Sequence, residues 1–411
     1  MQRDERKFFW GAATSAHQVE GGNANDWSLW EKKHAAALAK KASTREWPDH
    51  ILHAYPSPLD EANYISDRAC DHYHRYEEDF DTAKSLGHNA HRLSIEWSRI
   101  EPEEGKFDEK EIEHYRQVIK ALRARGMEPF VTLWHWTLPL WLRDKGGVAS
   151  REFPQSFARY AERIAREYRD DVRFWITINE PMVYSSHTYL TGAWPPNRRN
   201  PFVYLRVVQY LIKAHQMAHT AIKKINSDAQ VGIAKNNIHF EAASGRVNVF
   251  LKRITDWWWN IRFLGMIRDT QDFIGLNHYF HNKIDYGFNK NKNAVVSDMG
   301  WEVYPQSLYH VLVDLKRYEK PIYITENGIA DARDINRSQF IKESVVHMHR
   351  AMQEGVDVRG YFYWSLLDNF EWDKGFWPRF GLVEVDYHTL ERRVRKSAWD
   401  FKEIITDSSA K

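Results

Sequence analysis

The chain has 411 residues, enough for two or three average domains or for one α/β barrel with insertions, and its 43% hydrophobic content can build a sizeable core. Its 58 lysines and arginines nearly cancel its 56 aspartates and glutamates, which gives no basis for a nucleic-acid partner. A lone cysteine, Cys70, excludes an intrachain disulfide and fits a reducing compartment, and no run of 18 apolar residues exists to span a membrane.

Along the chain, Arg3 to Lys7 is charged and Phe8 to Ala16 is apolar, ending in small residues. Gly11, Thr14 and Ser15 interrupt that run, so it reads as a first strand rather than a signal peptide, and the expected location is cytoplasmic. Residues 31–66 read as a long polar βα insertion, with Trp47-Pro48 and Pro56-Ser57-Pro58 as breakers. Asp71, His72 and His74 follow at a spacing that suits no common zinc site, and they read as the solvated start of a helix.

Apolar, β-branched or aromatic runs predict eight strands, over Phe8–Thr14, Ala90–Ile95, Pro129–Leu133, Phe174–Ile178, Gln230–Ala234, Asp272–Leu276, Pro321–Thr325 and Arg359–Trp364. Several are nearly continuous in hydrophobicity, as expected of parallel strands covered on both faces. Amphipathic helices are predicted over Glu109–Arg125, Pro154–Arg169, Val203–Ile225 and Ser338–Glu354, with Gly87, Gly126 and Gly355 placed as helix ends. Strands alternating with helices predict an α/β protein, a single (β/α)8 TIM barrel with βα-loop insertions, as one domain over residues 1–411. Gly11 and Gly21-Gly22 do not form the Gly-rich phosphate loop of a doubly wound fold, and no internal repeat or linker marks a second domain.

Polar residues cluster just after these strands: His135 after the third, Asn179 and Glu180 after the fourth, Asn277 and Tyr279 after the sixth, Glu326 after the seventh. In a barrel those ends converge at one mouth. Glu180 and Glu326 lie 146 positions apart (326 minus 180), and each follows an apolar run where an idle carboxylate would be costly. Two carboxyl groups across one mouth are the equipment of glycosidic bond cleavage: one protonates the leaving oxygen, the other attacks the sugar carbon or activates a water to do so. The 18 tryptophans add to this, because several stand beside His, Asn or Glu, as in Leu133-Trp134-His135-Trp136. Indole faces stack on the C–H faces of sugar rings, although they also serve as core.

The ordered motifs resemble glycoside hydrolase family 1, the retaining β-glycosidases. They run from Phe8-Phe9-Trp10-Gly11-Ala12-Ala13-Thr14-Ser15-Ala16-His17-Gln18-Val19-Glu20-Gly21 through Arg92-Leu93-Ser94-Ile95-Glu96-Trp97, Trp134-His135-Trp136, Asn179-Glu180-Pro181 and Thr325-Glu326-Asn327-Gly328 to Trp364-Ser365-Leu366-Leu367-Asp368-Asn369-Phe370-Glu371-Trp372 and Gly381-Leu382-Val383-Glu384-Val385-Asp386. The resemblance implies that Glu180 is the acid/base and Glu326 the nucleophile. It implies that Gln18, His135, Trp136, Asn179, Glu371 and Trp372 bind the sugar, with Trp364 beneath its ring. Tyr279 and Arg92 would support Glu326, with Asn277 beside them. The implied activity is exo-acting β-glucosidase, with β-galactosides or β-fucosides as further substrates. The implied partner is a small-molecule glycoside; two carboxylates suffice for this chemistry, so no metal or organic cofactor is expected. Transglycosylation on the same intermediate and a non-catalytic sugar-binding barrel are the competing readings. The sequence carries no signature of an oligomeric state.

Two departures bear on specificity. The stretch from Trp257-Trp258-Trp259-Asn260 to Asp272 is shorter than the helical excursion usual in the family, which leaves the outer subsites open. The family's 6-phospho-glycosidases carry serine where this chain has Glu371, so neutral sugars are expected.

Overall fold

Eight parallel strands close into a barrel: β1 (Phe9–Ala13), β2 (Ala90–Ser94), β3 (Glu128–Trp134), β4 (Phe174–Asn179), β5 (Gln230–Asn236), β6 (Phe273–Asn277), β7 (Ile322–Asn327) and β8 (Val358–Trp364). Each pairs with its neighbour in chain order, and β8 closes the ring on β1. The protein is described by a computed structural model over residues 8–409; the charged Arg3–Lys7 stretch lies outside them. Every strand predicted from hydrophobic runs is present, with ends shifted by at most two residues. Among the described residues no helix is long and apolar enough to cross a membrane.

Alternation along the strands sends aromatic side chains into the barrel. Phe9, Phe130, Phe174, Phe273, Tyr323 and Phe362 meet there, with Phe130 stacked on Phe174 at 4.2 Å and Phe362 edge-on to Phe130 at 4.7 Å. Such side-chain layers make the interior a packed core rather than a pore. The outer helices follow their predicted spans. Glu109–Ala124 starts at Asp108, whose carboxylate accepts from the amides of Lys110 and Glu111, and Pro201–Ile225 starts at Asn200 with proline in the first turn.

The segment after β1 is less irregular than its polarity suggests. It opens with a 17-residue helix, Asp26–Ala42, capped by Asn25 and Ser28 in reciprocal hydrogen bonds. Its buried face is built from Trp27, Trp30, Glu31, Ala35 and Ala39, and alanines and a buried glutamate disguise the helical stripe. Glu31 is satisfied by His17 at 2.7 Å and by the amide and hydroxyl of Ser66 at 2.9 and 2.7 Å.

His72 corrects the expectation of a solvated helix start. It opens the helix His72–Ser85 but is buried, and its Nδ1 meets Asp79 at 2.7 Å. Asp79 also accepts from Arg392 at 2.9 and 3.2 Å, and Arg392 donates to the Cys70 carbonyl at 2.6 Å. A partner arriving from residue 392 is invisible in a local pattern. A second buried fork, Asp368 with both Nη atoms of Arg395 at 2.8 Å, anchors the loop between β8 and Trp372.

Candidate active site

The C-terminal ends of the strands surround a cavity of about 580 Å³. Gln18, His135, Trp136, Glu180, Tyr279, Glu326, Trp364, Glu371 and Trp372 all line it. Arg92, Asn179 and Asn277 stand one layer behind the wall, buried and bonded to the lining residues. Strand register explains the gathering. Across β5, β6 and β7, Asn236 is level with Asn277, and Asn277 with Glu326. Asn179 is level with Ala234, whose carbonyl accepts from the Glu180 amide at 2.8 Å.

The two carboxyl groups sit in opposite environments. Glu326 Oε1 accepts from Arg92, and Glu326 Oε2 accepts from the Tyr279 hydroxyl at 2.5 Å. The rest of the guanidinium is used as well: Nε donates to Thr132 at 3.1 Å, Nη1 to the Thr325 carbonyl at 3.2 Å, and Nη2 to Asn179 Oδ1 at 2.8 Å. A buried ion pair is tolerable only when its remaining donors are satisfied in this way. Burial, then the charges of Glu326 and Glu180, hold the Tyr279 phenol well above its ordinary value, so it remains a donor.

Glu180 meets no cation directly. Its Oε1 accepts from Asn277 at 3.0 Å and Asn236 at 3.3 Å. Burial first and the negative charge of Glu326 second push its carboxyl up to about 8, against the pull of the two amides and Arg92. One carboxyl group is therefore paired with arginine, while the other, raised to about 8, keeps its proton at neutral pH. Pairs separated in this way carry acid and base assignments.

Asn179 Oδ1 is occupied by Arg92 and Asn277, which fixes its Nδ2 toward His135 Nε2 at 3.0 Å. An amide donor there makes Nε2 the acceptor and puts the ring proton on Nδ1. Burial, with the charges of Arg92 and His17, holds His135 well below its usual value, so it is a neutral imidazole. Trp136 donates to the Asn179 carbonyl at 2.8 Å. Gln18 donates to Asn369 at 2.9 Å, the Phe370 carbonyl at 2.8 Å and Glu371 at 3.3 Å, tying β1 to the loop after β8. The Glu371 carboxyl is pushed up to about 8 by burial and then by the charge of Glu326.

Five lining residues hold left-handed backbone conformations without being glycine: Trp136 (φ 83°), Glu180 (φ 42°), Asn289 (φ 58°), Asn293 (φ 53°) and Trp372 (φ 52°). Each costs on the order of 1–3 kcal/mol and persists only where its surroundings dictate it. Gly328 allows a related close approach, because a Cβ there would lie 2.0 Å from the Trp364 carbonyl oxygen.

Further lining residues were not singled out by sequence. Asn236 carries the signal used for the others, an amide at a strand end. Trp259 reaches the cavity from the helical stretch before β6, Asp373 and Lys374 from a single 3-10 turn and Trp301 from a loop, where no strand-end signal points at them. Among the described residues no group of three or more His, Cys, Asp or Glu side chains is arranged to hold a metal ion.

Comparison with known proteins bears on the chemistry. The chain matches the sequence profile described as Glycosyl hydrolase family 1 over residues 3–256 and 260–410. Beta-glucosidase A of Thermotoga maritima is 34% identical, covering 98% of this chain and 97% of that protein. A beta-galactosidase of Pyrococcus woesei is 30% identical, covering 98% and 97%. Among solved structures, the beta-glycosidase from Pyrococcus horikoshii superposes with a TM-score of 0.85 at 38% identity, covering 97% of this chain and 93% of that one. The profile match breaks at 257–259, inside the shortened segment. The alignment to the T. maritima protein runs over 452 positions, so at least 41 of them (452 minus 411) have no counterpart here.

Proposed function

Because the chain belongs to glycosyl hydrolase family 1 and is a glycoside hydrolase, we propose that it is a retaining, exo-acting β-glycosidase working as one barrel domain on neutral β-D-glucosides, with β-galactosides or β-fucosides as further substrates. The observation that carries this reading is the contrast across one cavity between Glu326, held by Arg92 and Tyr279, and Glu180, buried among neutral amides. The indoles of Trp136, Trp364 and Trp372 on the same cavity supply the apolar faces a pyranose needs. The names of the relatives, β-glucosidases and a β-galactosidase, support the choice of sugars. The single buried Cys70 supports a cytoplasmic setting.

In the first step Glu326 attacks the anomeric carbon and forms an ester, while Glu180 gives its proton to the departing glycosidic oxygen. The ester removes the charge that held the Glu180 proton, and Glu180 is left as a carboxylate. It then takes a proton from an incoming water, whose oxygen attacks the anomeric carbon and releases Glu326. Two displacements return the starting configuration. The amide of Asn277 reaches Glu180 and stands level with Glu326, which supports the short separation that retention requires.

The test is Glu326→Gly assayed on an aryl β-glucoside. Hydrolysis is expected to vanish, and azide to restore turnover with an α-glycosyl azide as product. Loss of neither activity nor stereochemistry would remove Glu326 from this role.

A further inference from the structure

Lys235 is the sole buried lysine among the described residues, and it stands in β5 directly after the apolar stretch 231–234. It is fully shielded from solvent, forms no salt bridge with a described carboxylate, and donates to the Asn236 carbonyl at 2.5 Å. Its ammonium lies 5.6 Å from the ring centre of Trp259. A buried ammonium with so little compensation costs several kcal/mol by order of magnitude, so a neutral residue would serve β5 better as structure alone.

Both Asn236 and Trp259 face the cavity. The Trp259 indole donates to Asn236 Oδ1 at 3.4 Å, and Asn236 Nδ2 donates to Glu180 at 3.3 Å. Lys235 itself does not line it. We propose that Lys235 is a positioning residue for the reaction, holding the Asn236–Trp259 wall against Glu180 from outside the cavity. This inference rests on Glu180 being the proton donor.

Glu180 is faced by Glu326 from β7, Arg92 from β2, Glu371 and Tyr279 from loops, and Lys235 from β5. For Lys235 the charged partner is Glu180 alone. Burial lowers the lysine to about 7 and the Glu180 carboxylate opposes that. Near neutrality Lys235 is therefore not a fixed charge, and what it supplies to Glu180 is the placement of Asn236, whose amide donates to the Glu180 carboxyl at 3.3 Å.

The experiment is kcat/KM on an alkyl β-glucoside and on the β-glucoside of an acidic phenol for the wild type, Lys235→Met, Lys235→Gln and Lys235→Arg, each with and without Glu180→Gln. The neutral variants are expected to lose about 10-fold more on the alkyl glucoside than on the phenolic one, because a displaced Asn236 leaves the proton donor misaligned. Lys235→Arg is expected to restore the ratio of the two rates, and Glu180→Gln to erase the difference between lysine and its neutral replacements. Equal losses on the two substrates in both neutral variants, or a difference that survives Glu180→Gln, overturns the proposal. The donor role of Glu180 is judged separately by leaving-group dependence, so failure of Lys235 alone is distinguishable from failure of the acid assignment.

Discussion

The Tyr279 hydroxyl donates to Glu326 Oε2 at 2.5 Å, while Arg92 holds Oε1 of the same carboxylate. Neither oxygen of Glu326 is without a donor before substrate arrives, so its orientation is set in advance. Tyr279→Phe keeps the ring and removes the donor. A hydrogen bond to a charged group contributes about 1.5–3 kcal/mol, so kcat/KM is expected to fall by roughly 10- to 100-fold. A change of less than about twofold would show that Arg92 alone orients Glu326.

For Glu180→Ala, the loss should depend on the leaving group. A substrate with an acidic phenol as aglycone departs without help, and its rapid first turnover should survive. An alkyl β-glucoside needs the proton and should lose about 10²- to 10⁴-fold, the usual worth of general acid catalysis. Stopped-flow bursts measure the first case and steady-state rates the second. Equal losses on both substrates would count against Glu180 as the donor.

The pH dependence follows from the direction of the Glu180 shift. Burial and then Glu326 raise it to about 8, so the acid stays protonated through neutrality. Activity should hold to about pH 8 and fall above it, by about tenfold per pH unit when one proton is lost. Glu371, also raised to about 8, loses its proton in the same range and steepens the fall. An alkaline limb already complete by pH 6 would contradict the placement of Glu180 among neutral amides.

Asp79 offers a test of stability away from the cavity. Burial works to raise its carboxyl, but the hydrogen bonds and charges of His72 and Arg392 prevail and hold it below the ordinary range. A depressed carboxyl contributes stability above its unfolded value of about 3.9, and that contribution is lost as pH falls through the folded value. Asp79→Asn strands the buried Arg392 and should cost about 3–5 kcal/mol at pH 7 in urea unfolding. The gap between variant and wild type should narrow as the pH falls below the ordinary carboxylate range. A constant gap at all pH values would mean that packing, not charge, is what Asp79 supplies.

Discrimination against phosphorylated sugars rests on Glu371 and its neighbours. The rim lysine Lys374 is already paired with Asp373 at 2.5 Å, so it offers no spare charge to a phosphate. Glu371 lines the same cavity, and the Glu326 charge that helps raise its carboxyl also repels a phosphate dianion placed beside it. A 6-phospho-glucoside is expected to turn over at least roughly 100-fold less efficiently than the unphosphorylated glucoside. Comparable kcat/KM values would refute this.

The barrel was legible because its signals are local. A buried parallel strand announces itself by a continuous apolar run, and the polar residue after it marks the mouth, as with His135, Asn179 and Glu326. Asn236 carries the same mark. What was hidden depends on residues distant in sequence. His72 looks solvated until Arg392 and Asp79 close over it, and the helix Asp26–Ala42 looks like a polar loop because alanines replace its larger apolar residues. Lys235 was hidden for the opposite reason: a single charge in a strand signals nothing until its surroundings are known.

The aromatic layer of Phe9, Phe130, Phe174, Phe273, Tyr323 and Phe362 closes the bore beneath the two carboxyl groups, so the doorway of the chamber is at the strand ends and not through the barrel. Traffic must therefore alternate. On the proposed two-displacement route, the portion of substrate nearest the doorway departs before water enters, and the deeper sugar leaves only afterwards. Until it does, that sugar bars the next substrate, so free product and fresh glycoside compete for one passage.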